Sequence, residues 1–257
     1  MNATADAFAG PALSLAGRLR IGLRLAAMLM ALVVCVPLYY LWRIGRRHNP
    51  WPRLFLASIA RIAGARIRIV GERVQGGAFL LSNHVSWLDI PVIAGASGSA
   101  FVAHSGLADV GLLKWLCGLN DTVFVARHDR RSVHAQVEQV RAALTDTGAL
   151  TVFPEGTTSD GQGLLPFKSS LLSALDPPPP GIVIQPVWLD YGPDVAGMAW
   201  VGEEPGLTNF LKILARRRPL PVTVHFLGPL SIGETSNRKI MAASARERIL
   251  AAMGGAR

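Results

Sequence analysis

Eighteen consecutive residues without a charge, LAAMLMALVVCVPLYYLW from Leu25 to Trp42, set the first limit on what this chain can become. Such a run must be buried in protein or in lipid, and it meets the lower length for a bilayer-crossing helix, about 17 to 25 apolar residues. Pro37 predicts a kink within it. Arg18, Arg20 and Arg24 precede it and Arg43, Arg46 and Arg47 follow it. Positive charge at both ends gives no inside–outside asymmetry, so a span, a re-entrant turn and a helix lying along the surface are all open. A cleaved signal peptide fits less well, because the run is long and lacks a small-residue cleavage site. After a turn at His48-Asn49-Pro50, the stretch WPRLFLASIARIAGARIRI reads as an amphipathic helix. Leu54, Ile59, Ile62 and nearby alanines would form its apolar face, and Arg53, Arg61 and Arg66 its polar positions. Residues 1–63 are therefore expected to be a membrane-associated helical segment, with residues 64–257 forming a separate domain.

Composition supports a lipid neighbour. Half of the 257 residues are apolar and 17% are charged, against roughly 25% in an ordinary soluble domain. The formal charge is +9, and of the 26 basic residues only Lys114, Lys168, Lys212 and Lys239 are lysines. A strongly basic chain attracts phosphate from nucleic acid or from an anionic bilayer. The apolar excess, and the lack of an interleaved aromatic and basic repeat, select the membrane and exclude nucleic acid as the expected partner. Cys35 and Cys117 lie in apolar runs without metal-ligand spacing; they read as small buried residues of a reduced compartment, with no disulfide and no metal site.

From about Gly64 the pattern changes to short apolar runs between polar or glycine-containing turns. Strands are expected at 65–70, 78–82, 100–103, 122–126, 149–153, 182–189 and 221–227. Helices are expected around 87–96, 107–119 and 130–146, with a shorter one near 168–175, another within LTNFLKILARRR, and a C-terminal helix from about Glu234 or Ser236 to Gly254-Gly255. Helices between strands that are apolar on both faces indicate an α/β fold with a mixed, mostly parallel central sheet flanked by helices. The stretch from Asp190 to Pro219 covers either a substrate groove or the sheet itself.

Two segments carry chemistry. In SNHVSWLD, at 82–89, one ideal helix would set His84 and Asp89 about 140° apart, so a turn must bring them together. Ser86 and Asp89 have the spacing of a capping box, which predicts a helix starting at Ser86 and leaves His84 in the preceding loop. From there the imidazole can fold back to the carboxylate, which would fix its tautomer and stabilise a gained proton. The alternative gives Asp89 to the cap and makes His84 a polar loop residue. Ser86 has no nucleophile elbow around it. FPEGTTSDGQGLLPFKSS then follows the strand at 149–153: Gly156 permits a tight turn with exposed backbone donors, and Thr157, Thr158 and Ser159 offer hydroxyls for an anion. Glu155 would orient an arginine or a substrate hydroxyl. Arg127 could supply the charge this segment lacks, while Arg130 and Arg131 read as surface. No nucleotide-binding glycine motif is present.

Four ordered blocks, NHVSWLD at 83–89, FVAR at 124–127, FPEGTTS at 153–159 and IQPV at 184–187, resemble the glycerolipid acyltransferase family, lysophosphatidic-acid acyltransferase-like. The resemblance implies that residues 64–257 are an acyltransferase catalytic domain, with His84 the general base and Asp89 its orienting carboxylate. Arg127, Glu155 and Gly156 would line the acceptor-phosphate site, and Pro186 would help shape the acyl-donor side. It further implies transfer of a fatty acyl group from acyl-CoA or acyl carrier protein to a lysophospholipid hydroxyl, without a cofactor or a metal. The setting would be the bacterial inner membrane, with the catalytic domain facing the cytoplasm. The main expectation is 1-acylglycerol-3-phosphate as acceptor, giving phosphatidate. Many members carry arginine where Thr158 stands, and the same stretch also resembles bacterial enzymes that acylate lyso-ornithine lipids, so that acceptor is the alternative. A non-catalytic basic lipid-binding membrane protein is the alternative of another class.

Overall fold

A computed structural model of the chain describes residues 14–44, 49–104, 111–125, 138, 140, 142–144 and 147–255. Arg127, Arg130 and Arg131, most of the helix expected over 130–146 and the start of the one expected over 107–119 lie outside the described residues.

Helix α1 runs Leu15–Arg43, continuing through Pro37, and its Ser14 hydroxyl caps the first turn by accepting from Gly17 N at 3.2 Å. Helix α2, Trp51–Ala63, ends at Gly64 in a left-handed conformation. Among the described residues seven strands occur: β1 Ala65–Val70, β2 Ala78–Ser82, β3 Ala100–His104, β4 Val123–Val125, β5 Ala149–Val152, β6 Val183–Asp190 and β7 Leu220–Phe226. They agree with the expected runs to within a residue at most ends. Further helices among the described residues include α3 Asp89–Ser97, α4 Gly111–Leu119, α5 Gly206–Ala215 and α6 Arg238–Gly255, with 3-10 stretches that include Ser169–Leu175.

All seven strands join one sheet in the order β1-β7-β6-β2-β5-β3-β4, parallel throughout except for the antiparallel β6–β7 pair. The central strand β2 is buried along its whole length, and its side chains alternate between two cores. Ala78 and Leu80 face a cluster that includes Ala60 and Ala63 of α2, Val92 and Ile93 of α3, and Ile213 and Leu214 of α5. Phe79 and Leu81 face the opposite cluster, with Met241, Ala242 and Ala245 of α6. Period-two alternation of apolar residues buried on both faces makes a central parallel strand.

On α2 the alanines of the expected apolar face, Ala60 and Ala63, are the buried residues, and Leu54 alone departs from that face, at 48% exposed. The cause is a close crossing: a Cβ at Gly95 of α3 would stand 3.0 Å from Ala57 Cα, so small residues, not the large aliphatics, meet the neighbouring helix. Arg53 stays exposed and reaches across the surface, donating to Gly95 O at 3.1 Å near the C-terminal end of α3. On α1, Arg20 and Arg24 are not flanking charges. They donate to the carbonyls of Ala215 (2.9 Å) and Leu214 (2.9 Å), satisfying the open C-terminus of α5.

Candidate active site

Strands β6, β2 and β5 are neighbours and run parallel, so the loops leaving their C-terminal ends meet at one sheet edge, the usual place for ligands in such sheets. From β2 comes Asn83 to Leu88, from β5 Phe153 to Ser159, and from β6 Tyr191. Asn83 behaves as an extra rung of the sheet. Its Nδ2 donates to Leu189 O at 3.1 Å and its Oδ1 accepts from Leu189 N at 2.7 Å, fixing the first loop to β6.

The turn that follows brings His84 and Asp89 together. His84 Nδ1 lies 2.7 Å from Asp89 Oδ2, and the same oxygen accepts from Val85 N at 2.6 Å and Ser86 N at 2.9 Å. Tyr191 donates its hydroxyl to Oδ1. The carboxylate is fully buried, and four donors converge on it, which is what an ionised group requires inside a protein. An acceptor-only carboxylate opposite Nδ1 holds the ring proton there and leaves Nε2 for chemistry. Burial, and next the Asp89 charge, push the Tyr191 phenol well above its ordinary value, so it remains a donor. The helix starts at Asp89, not at the expected Ser86, because Ser86 to Leu88 form a tighter turn in which Asp89 N donates to Ser86 O at 3.1 Å. The carboxylate half of the capping box is nevertheless made. Ser86 is fully buried, its hydroxyl 3.4 Å from Asn209 Oδ1.

The second loop supports the first. Glu155 is buried, with Oε1 accepting from His84 N at 2.8 Å and Oε2 from Leu165 N at 3.0 Å, so both oxygens are engaged by backbone. Burial pushes its carboxyl up, opposed by those two N–H groups. Ser159 donates its N–H (2.8 Å) and hydroxyl (3.0 Å) to His84 O. Gly156 takes a positive φ of 70° to close the turn onto Phe153 O. Thr157 is exposed. Thr158 turns its hydroxyl to Trp200 O, while Trp200 N donates to Val85 O at 2.9 Å. One residue of the Asp190 to Pro219 stretch, Trp200, thus joins both loops through its backbone N–H and carbonyl. Asn209 on α5 secures that stretch, donating to Ala199 O at 3.1 Å. Pro186 is buried within β6, in register with Leu81.

An apolar cavity of about 370 Å³ lies between α1, α2, α3 and α4, with Trp87 of the turn that joins His84 to Asp89 in its wall. Phe101 lines it and stacks on Phe153, centroids 6.0 Å apart; Phe153 stacks on the His84 imidazole at 4.1 Å. Cys35 and Cys117, both free, also line it. Among the described residues no cluster of metal-ligating side chains occurs. Tyr191, Trp200 and Asn209 were not singled out from sequence. Only an aromatic residue directly after a buried strand hinted at the first.

Residues 66–190 match a family model described as Acyltransferase. A lyso-ornithine lipid O-acyltransferase of Rhodobacter capsulatus is 32% identical over 259 residues, covering 94% of this chain and 92% of the relative. The lyso-ornithine lipid O-acyltransferase of Brucella abortus is 33% identical, with 93% and 96% covered. A 1-acyl-sn-glycerol-3-phosphate acyltransferase of Neisseria gonorrhoeae is 30% identical over a shorter stretch, 68% of this chain and 69% of the relative. In fold, the chain is similar to the crystal structure of the 1-acyl-sn-glycerophosphate acyltransferase PlsC of Thermotoga maritima, with a TM-score of 0.65, 18% identity, and 93% and 97% of the chains covered.

Proposed function

The chain belongs to the acyltransferase family, and on that premise we propose that it moves a fatty acyl group from acyl-CoA or acyl carrier protein to the hydroxyl of a lyso-ornithine lipid. The observation that carries transfer is the buried His84–Asp89 contact at 2.7 Å, with an apolar cavity walled in part by the turn that joins the two residues. His84 Nε2 takes the acceptor's hydroxyl proton as that oxygen attacks the thioester carbonyl. The tetrahedral oxyanion then collapses, the carbon–sulfur bond breaks, and the proton passes from the imidazole to the departing thiolate. Asp89 keeps the ring oriented and balances its charge between those two transfers.

For the acceptor, the sequence reading put 1-acylglycerol-3-phosphate first. The relatives alike over nearly the full length favour lyso-ornithine lipid instead. Thr158 agrees with that choice, since it adds no positive charge and spends its hydroxyl on Trp200. Arg127, Gly156 and Thr157 would face the acceptor, Glu155 and Ser159 would position the His84 loop, and Pro186 would shape the donor side. The test is purified protein given paired donors and a panel of lysophosphatidate and lyso-ornithine lipid, with product mass measured. Lyso-ornithine lipid should be acylated at least about tenfold more efficiently, a difference of about 1.4 kcal/mol in transition-state binding. Preference for lysophosphatidate would return the acceptor to the phosphatidate reading.

We treat residues 1–63 as the membrane-associated segment and 64–257 as the catalytic domain, acting on the cytoplasmic face of a bacterial inner membrane. Helix α1, about 44 Å long at 1.5 Å per residue, exposes Leu15, Leu19, Leu23, Met30 and Val33 on one side. Its other side is fixed to α5 through Arg20 and Arg24 and lines the cavity with Leu32, Val36 and Tyr39. A helix tied to its domain along its length suits the interface better than a crossing. Truncating residues 1–63 would also remove core residues Ala60 and Ala63, so substitution is the cleaner test. Glutamine at Leu19, Leu23, Met30 and Val33 removes roughly 2 kcal/mol of apolar transfer per side chain. The quadruple variant should leave the membrane fraction while still turning over detergent-dispersed substrate; firm membrane retention would count against α1 as the anchor.

A further inference from the structure

A second pocket, of about 340 Å³, lies at the same sheet edge as the catalytic loops. Asp190 is the last residue of β6, and alternate residues of a strand share a face, so it points with Trp188 toward α6, where Met253 adds to the wall. Tyr191, one residue on, reaches the other way to Asp89. The end of β6 thus serves the catalytic carboxylate with one side chain and the pocket with its neighbour. Gly161 also lines the pocket, two residues after the serine that holds His84 O, and a Cβ there would stand 3.2 Å from Val85 Cγ2. The pocket and the His84 turn therefore share a wall.

In a chain of formal charge +9, Asp190 is the only acidic side chain in this lining, and no lysine, arginine or histidine lines it. Asp190 is half-buried, and one of its oxygens accepts from Gly192 N at 2.8 Å; among the described residues the other has no hydrogen-bond or ion-pair partner. Burial pushes the His225 imidazole down, with Asp190 opposing and Arg68 adding to the effect, so no imidazolium offsets the carboxylate at neutral pH. A partly enclosed carboxylate with an open oxygen attracts a cation, and salt screens it less than it would at an open surface.

We propose that this pocket is the head-group subsite of the acceptor and that Asp190 takes the side-chain ammonium of ornithine. The assignment rests on the acceptor reading above and adds to it the residue that selects. With a fatty acid on its α-amino group, ornithine keeps a free ammonium on three methylenes, whereas the head group of lysophosphatidate offers only anionic oxygens. Asp190 attracts the first and repels the second.

The full-length protein in detergent micelles is given lyso-ornithine lipid and its norleucine counterpart, in which a methyl group replaces the ammonium, with acyl-CoA and acylated carrier protein as paired donors. A hydrogen bond to a charged group contributes roughly ten- to hundredfold, so wild-type kcat/KM should be higher for the ornithine lipid by about that factor, most of it in KM. Asp190→Asn removes the charge and keeps an acceptor for Gly192 N, so the ratio between the two lipids should fall to within about twofold of unity. Should that variant not fold, Asp190→Ser, whose hydroxyl can accept the same N–H, should lose the preference equally. Equal use of both lipids by the wild type, or an undiminished ratio in a folded variant, overturns the proposal. Failure of the acceptor reading looks different and overturns both: the wild type would acylate lysophosphatidate and neither amino-acid lipid.

Discussion

His84→Ala should lower acyl transfer by about 10²- to 10⁴-fold, the range a positioned general base contributes, while the folded protein, its lipid binding and its membrane attachment persist. The side chain is 18% exposed and stacks on Phe153, so truncation loses that ring contact. The contacts that hold the loop are made by the backbone of this residue, its N–H to Glu155 and its carbonyl from Ser159, and both survive truncation to alanine. What disappears is the imidazole between Asp89 and Phe153. Thiol release from acyl-CoA in the presence of acceptor, followed beside thermal unfolding and vesicle binding, separates the outcomes. Near-normal turnover by a folded variant would sink the base assignment. Wild-type protein that binds lipid but releases no thiol from any donor would instead favour a scaffold that kept the fold without the chemistry.

The sheet was readable from sequence because its strands are short, apolar on both faces and bounded by turns; β2 and β5 are buried at every position. For His84 and Asp89 the spacing ruled out one continuous helix but left capping alone as an alternative, and the resemblance of the four ordered blocks chose the pairing. Other features depend on partners far away along the chain. Arg20 and Arg24 looked like flanking charges, and nothing local reveals that they close the end of α5 about 190 residues later. Tyr191 reaches Asp89 across 102 positions. Leu54 misled because periodicity ranks bulk, whereas the crossing of α2 over α3 at Gly95 admits only small side chains. Glu155 was legible as a candidate but not in its contacts, since its oxygens serve backbone N–H groups from two different loops.

Asp89→Asn should lower kcat by about 10²- to 10⁴-fold, comparable to losing the orienting carboxylate of a catalytic triad, with little change in KM for the donor. The amide can keep the shape. Its oxygen, set where Oδ2 stands, still accepts from His84 Nδ1, Val85 N and Ser86 N. The negative charge that balances an imidazolium is gone, and the NH₂ group now faces Tyr191, whose hydroxyl proton loses its acceptor. A buried donor left unpaired costs about 1–3 kcal/mol, so Tm should also fall, by about 2–4 °C for each kcal/mol in a domain of this size. Two effects of one substitution can be separated by a second. The single variant Y191F removes the same hydrogen bond but keeps the carboxylate, so Tm should fall by a similar amount while kcat stays near the wild-type value. If kcat falls together with Tm, Asp89 acts through the fold of the loop alone; if Tm falls and kcat does not, the carboxylate's charge and its hold on the imidazole are what turnover needs.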